Sequence, residues 1–204
     1  MLTKKRLTAE ERKQSLIEAT ITVVARLNYD RATTALIAKA AGVNEALIYS
    51  HFSSKKELQI TTLDYLVDFR LDIYRANSVF LPENRHLSVI KELNALYLQM
   101  IQSPQINMFE CILKAMFAID PDIRAKGMEC CKKFQEFNRQ NLIEDRQRGF
   151  FDPRFDPDII AWEMLGKILL VSTLAVNEQF YTFGLDQIKT SIEYFETIFI
   201  SKTA

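Results

Sequence analysis

Residues 33–58 read TTALIAKAAGVNEALIYSHFSSKKEL, and their chemistry lies in a phenol, an imidazole and an ammonium at Tyr49, His51 and Lys55. Such groups position a protein on nucleic acid by contacting phosphate oxygens. Lys55 and Lys56 stand where a helix is expected to begin, a place where the helix dipole disfavours cations by roughly 0.3–1 kcal/mol each. A phosphate at that end reverses the sign, and the unpaired N–H groups of the first turn add donors for it. Glu45, Ala46 and Ser50 are compact enough to approach base edges. Glu45 either accepts a hydrogen bond from cytosine N4 or stays on the solvated face. No catalytic set competes with this reading. The chain has two histidines, His51 and His86, without metal-ligand spacing, phosphate-cradling glycine loop or nucleophile motif, so neither enzyme activity, cofactor nor metal is expected.

The elements that must hold these groups are short helices. Thr8 with Glu11 forms a capping box for a helix over 9–27 that carries Ile17, Ile21, Val24 and Leu27 and stops at Asn28. Thr33 or Thr34 caps a second helix that must end at Gly42, where no Cβ opposes a left-handed turn. Asn44 caps a third through about His51, and a Ser54–Glu57 capping box opens a fourth. Ile37, Ala38, Gly42 and Ile48 supply what a helix-turn-helix needs: a close approach at Ala38, a turn at Gly42 and two apolar groups in the angle. The fourth helix places Leu58, Thr62, Leu66, Phe69 and Ile73 on one stripe. Further periodic segments cover 87–101 and 106–119. Asp120-Pro121 and Asp156-Pro157 are helix starts, the second opening an apolar helix to about Tyr181, and Gly184 separates it from 185–200.

Five glycines and five prolines in 204 residues disfavour sandwiches and barrels, and 48% hydrophobic residues suffice for a core. The fold class expected is all-α with about nine helices. Net charge is zero, but the first 60 residues hold ten basic against six acidic side chains and the remainder the reverse imbalance, as in a polyanion-binding end joined to something else. Thirteen of fourteen phenylalanines lie beyond residue 60, which puts the aromatic core in a second domain. The start of the chain lacks the apolar stretch of a signal peptide, and Glu163 and Lys167 interrupt the longest apolar run with a one-turn ion pair. A cytoplasmic protein without membrane contact is expected. Cys111, Cys130 and Cys131 match neither a disulfide framework nor a zinc site, and reduced, inert thiols follow.

TT at 33–34, IA at 37–38, AAGVN at 40–44 and the run from Tyr49 through His51-Phe52 and Lys55 to Leu58 resemble the tetracycline-repressor-like (TetR) family of bacterial transcriptional regulators. The resemblance implies a helix-turn-helix DNA-binding domain at 1–54 and a helical ligand-binding and dimerisation domain at 55–204. It also implies a DNA-contacting set of Thr34, Asn44, Glu45, Ala46, Tyr49, Ser50, His51 and Lys55. Thr34, Tyr49, His51 and Lys55 would meet phosphates; Glu45, Ala46 and Ser50 would read bases. The chain departs from the family pattern at Asn28, where glycine is usual, at Leu47, and at the acidic Glu45. The expected partners are a double-stranded, pseudo-palindromic DNA operator, a second copy docked through the last two helices (156–181 and 185–200), and a small apolar or aromatic effector that releases a repressor. Phe69, Ile73, Tyr97, Met100, Met108 and Phe109 are its candidate walls. Two readings of the second domain stand side by side: an effector site, or a module serving only dimerisation or protein partners.

Overall fold

In a computed structural model the described residues are 7–76, 90, 91, 95, 107–176 and 185–200. They form eight bounded helices: α1 (Ala9–Leu27), α2 (Thr34–Ala41), α3 (Ala46–Tyr49), α4 (Lys55–Ala76), α5 (Asn107–Met116), α6 (Pro121–Gln147), α7 (Pro157–Val176) and α8 (Leu185–Phe199). The only strand-like pairing among them is an isolated bridge between Phe151 and Ile200. Among the described residues no helix is long and apolar enough to cross a membrane. The periodic segment expected at 87–101 lies outside the described residues apart from 90, 91 and 95.

The helix ends follow from local side-chain chemistry. Thr8 and Glu11 make the reciprocal capping box of α1, and Asn28 ends that helix with a φ of 115°. Thr33 caps α2 by accepting from the Leu36 N–H, and Gly42 closes it in the left-handed region at φ 67°. Asp120 accepts from the backbone of Asp122 at 2.9 Å and Asp156 from that of Asp158 at 2.8 Å, each one residue ahead of a first-turn proline. At α4 the expected box is only half made. Ser54 Oγ accepts from the Glu57 N–H, but the Glu57 carboxylate reaches past Ser54 to the hydroxyl and backbone N–H of Ser53. Those two donors, the hydroxyl foremost, hold the Glu57 carboxyl below its ordinary value.

The contacts divide the chain into two compact units. One comprises residues through Leu66 together with Cys111–Met128; the other comprises Val67–Glu110 and the residues from Glu129 onward. In the first, α1 packs on α2, and Leu16, Val24, Ile37, Ile48, Leu58, Leu63 and Leu66 are fully buried. The buried face of α1 runs through Leu16, Ile17, Thr20, Val23 and Val24, while Leu27 is exposed. Residues 111–128 are stapled into this unit. Cys111 Sγ donates to the Ile21 carbonyl, Lys114 donates to the Ala25 carbonyl, Asp30 accepts from the Ile119 N–H at 3.1 Å, and Lys126 meets Asp64. Gly127 makes the closest approach, since a Cβ there would stand 2.8 Å from Ala115 Cβ and 2.9 Å from the Met116 N.

The second unit is built on aromatic contacts. Phe109 packs on Phe134, Tyr74 stacks on Phe137, and Phe199 meets Phe155 and Phe195. Cys130 and Cys131 are both buried, and burial raises the Cys131 thiol to about 11. The ion pair expected between Glu163 and Lys167 does not form. Lys167 instead lies 4.0 Å over the Phe195 ring and donates to the Ser191 carbonyl of α8, contacts that hold the ammonium away from its helical neighbour. Two faces of α7 differ: Ile160, Ala161, Met164 and Leu165 are buried, while Ile159, Trp162 and Leu170 are more than half exposed.

Candidate nucleic-acid interface

The turn between α2 and α3 is fixed by the backbone. Val43 N–H and Gly42 N–H close on the Ala38 and Lys39 carbonyls, so the chain leaves α2 in one direction only, and buried Ile37 and Ile48 fill the angle between the helices. Asn44 Oδ1 accepts from the Leu47 N–H at 2.9 Å, which serves as the start of α3 although the bounded helix is only four residues long. Its side-chain NH₂ stays available as a donor pair. Ser50 Oγ donates to the Leu47 carbonyl at 2.7 Å, leaving its oxygen to accept. Ala46 is exposed, and Tyr49 is 54% exposed, an unusual position for a phenol unless its ring and hydroxyl face a partner. His51 is half-buried.

Thr34 and Glu45 are brought to each other. Thr34 is 8% exposed, and its hydroxyl donates to a Glu45 carboxylate oxygen. The bond ties the start of α2 to the start of α3 across eleven residues, a pairing with no local sequence signal. Glu45→Ala is therefore expected to cost about 1 kcal/mol, since it strands a nearly buried hydroxyl. It should also weaken binding to all duplexes alike, and Glu45→Gln, which keeps an acceptor, should restore both. A changed preference at one base pair with unchanged stability would show that Glu45 reads a base.

The two lysines at the start of α4 differ in their surroundings. Lys56 is held by Asp120 at 2.8 Å and Asp122 at 2.7 Å, and the hydrogen bonds its ammonium donates to these carboxylates raise its pKa to about 12. Lys55 makes no ion pair among the described residues. The start of α4 thus presents one cation with unspent charge beside its first-turn N–H groups, in the unit that also carries Tyr49 and His51. That arrangement suits an anion. Among the described residues no cluster of three metal-ligating side chains occurs.

The expected effector walls divide. Met108 and Phe109 are buried at 7% and 2%, Ile73 is half-buried, and Phe69 is 37% exposed; Tyr97 and Met100 lie outside the described residues. In this part of α4 the buried positions are Val67, Arg70, Leu71 and Tyr74, one residue out of phase with the stripe expected through Phe69 and Ile73. Phe117 is 76% exposed and belongs to the first unit. Arg70 was missed by the sequence reading. Its signal was a cation at helical spacing from Leu66 and Tyr74, inside an otherwise apolar face.

The sequence profile of bacterial regulatory proteins, tetR family, matches residues 16–60, the stretch that contains α2, α3 and the start of α4. Over 86 residues the chain is 36% identical to the HTH-type transcriptional regulator BetI of Pseudomonas fluorescens, a match covering 41% of this chain and 44% of that one, so it spans less than half the length of this relative. A TetR-family transcriptional regulator of Cytophaga hutchinsonii superposes with a TM-score of 0.71 at 19% identity, over 97% of this chain and 100% of that one. A protein of Saccharomonospora viridis solved in complex with choline gives 0.72 at 17% identity, over 95% and 100%.

Proposed function

We propose, from the match of residues 16–60 to the tetR family of bacterial regulatory proteins, that the chain is a homodimeric DNA-binding transcriptional regulator of that family, a cytoplasmic repressor released from a pseudo-palindromic operator by a small, mainly apolar effector. Residues 1–54 meet DNA in this reading, and residues 55–204 hold the effector and the second subunit; no step of it calls for enzyme chemistry. The observation that carries it is the combination of exposed Tyr49 with Lys55, the α4 lysine that pairs with no carboxylate among the described residues. Two supports come from the second unit. Exposed Ile159, Trp162 and Leu170 on α7 and Tyr194 and Ile198 on α8 suit an isologous interface, and buried Met108 and Phe109 suit an apolar ligand. The choline-bound Saccharomonospora viridis structure shares the fold. Because α4 has residues in both units, an effector at its far part would bias the helix that also carries Lys55. Its leverage is the difference in its affinity for the two states, typically about 1–3 kcal/mol.

The test is selection of a duplex from a random library with the full chain, followed by binding titrations across salt. A two-fold-related sequence is expected. Tyr49→Ala and Lys55→Ala should weaken binding to selected and random duplexes alike, and Lys55→Ala should flatten the salt dependence by about one unit of slope. An unchanged slope with unchanged affinity in both variants would remove this face from the interface.

A further inference from the structure

Arg70 of α4 is 2% exposed and has no carboxylate partner among the described residues. Its Nε donates to nothing, and one Nη donates to the Met108 thioether at 3.6 Å, a weak acceptor. The guanidinium also lies over the faces of Tyr74 and Phe109, whose centroids are 5.8 and 5.5 Å from its carbon. Burial opposes its charge, yet a guanidinium stays protonated in proteins. Arg139 meets Asp158 and Arg154 meets Asp152, while Arg146, whose Nε is likewise unpaired, donates an Nη–H to the Phe155 carbonyl, a better acceptor than a thioether. A lone buried cation is costly to fold around, and methionine or leucine would fill the same helical position without that cost.

We infer that Arg70 is the anchor for the head of the effector, and that the effector is an amphipathic monocarboxylate, its carboxylate paired with the Arg70 guanidinium and its apolar or aromatic body lying against Met108 and Phe109. The planar fork of a guanidinium matches a carboxylate with two parallel N–H···O bonds. A single cation among aromatic rings balances one negative charge, which favours a monoanion over a phosphate dianion, and it repels a quaternary ammonium. This inference rests on the reading of the second unit as an effector site and assigns that site a ligand class.

The experiment uses the full chain with hexanoate, decanoate, benzoate and phenylacetate, the matching neutral amides, and choline. Binding is followed by calorimetry and thermal shift, and DNA affinity on the selected duplex. At least one carboxylate is expected to bind saturably and to release DNA, with its amide at least about tenfold weaker. Arg70→Met should keep the helical circular dichroism and an unchanged or higher melting temperature without ligand, while losing carboxylate affinity by about 10- to 100-fold; Arg70→Lys should retain part of it. Carboxylate binding undiminished in Arg70→Met overturns the anchor, as does failure of every acid to bind. If choline or an amide binds and releases DNA equally well in both proteins, the anchor falls and the effector reading stands. If carboxylate binding is lost with Arg70 but never changes DNA affinity, the anchor stands and the effector reading falls.

Discussion

Replacing Trp162 and Leu170 together by glutamate is expected to halve the mass of the proposed dimer in solution and to weaken its binding to a two-fold operator by about 100-fold or more. Both side chains are large, apolar and over half exposed, at 51% and 61%, on a helix whose opposite face is already buried. With Leu174, Gly166 and Phe195 they line a mainly apolar groove between α7 and α8, edged by Glu163 and Lys167. An isologous interface presents every substitution twice, so four carboxylates would enter one apolar patch. A single uncompensated buried charge already costs about 3–5 kcal/mol, and four together reach the roughly 12 kcal/mol of a nanomolar association. The loss in operator affinity follows from geometry: a monomer engages one half-site and forfeits the effective concentration of the second recognition helix. Sedimentation velocity and operator titration read both effects. A dimer that survives the double substitution would place the interface elsewhere.

The second large effect is at Gly127. Glycine in the middle of a helix sacrifices about 1 kcal/mol relative to alanine, so propensity alone favours replacing it. Packing opposes this. Of the three atoms within 3.0 Å of a built Cβ, two belong to the backbone, the Met116 N and the Ala115 C, and backbone cannot rotate out of the way. Overpacking of this kind typically costs about 1–3 kcal/mol and occasionally more. Gly127→Ala should therefore be mildly destabilising, because the two contributions partly cancel. Gly127→Val adds two methyl groups and recovers less propensity, so a loss of about 3 kcal/mol is expected, or about 6–12 °C in melting temperature for a chain of this size. Thermal unfolding measures it, and a Gly127→Val protein that melts at or above the wild-type temperature would show that α5 and α6 stand farther apart than described.

Where the sequence was legible, the signal was local. Caps at Thr8, Thr33, Asp120 and Asp156 and the left-handed turn at Gly42 are decided within four residues, and they bound helices as expected. The helix-turn-helix was legible for the same reason. The phase of α4 past Leu66 was not, because FRLDIY offers apolar residues on more than one face and a stripe through Phe69 is as regular as the one through Val67, Leu71 and Tyr74; the tertiary contacts choose the latter and take Arg70 inward with them. Glu57 obeyed the capping pattern but took Ser53, whose hydroxyl and N–H offer two donors instead of one. Thr34 with Glu45, and the docking of 111–128 through Lys114 and Asp30, join positions 11 and 89 apart in the chain. Neither pairing leaves a local pattern in the sequence.

Asp120 and Asp122 act on Lys56 as resident counter-ions. A lysine on an open surface is accompanied by loosely held anions from the solvent, which DNA displaces at little cost; here the anions are covalently part of the protein and cannot diffuse away. A duplex approaching α4 therefore feels less basic charge than the paired lysines of the sequence suggest. Lys56 contributes to attraction only to the extent that the turn carrying its two carboxylates moves aside, so the turn sets how strongly this helix end draws a polyanion from a distance.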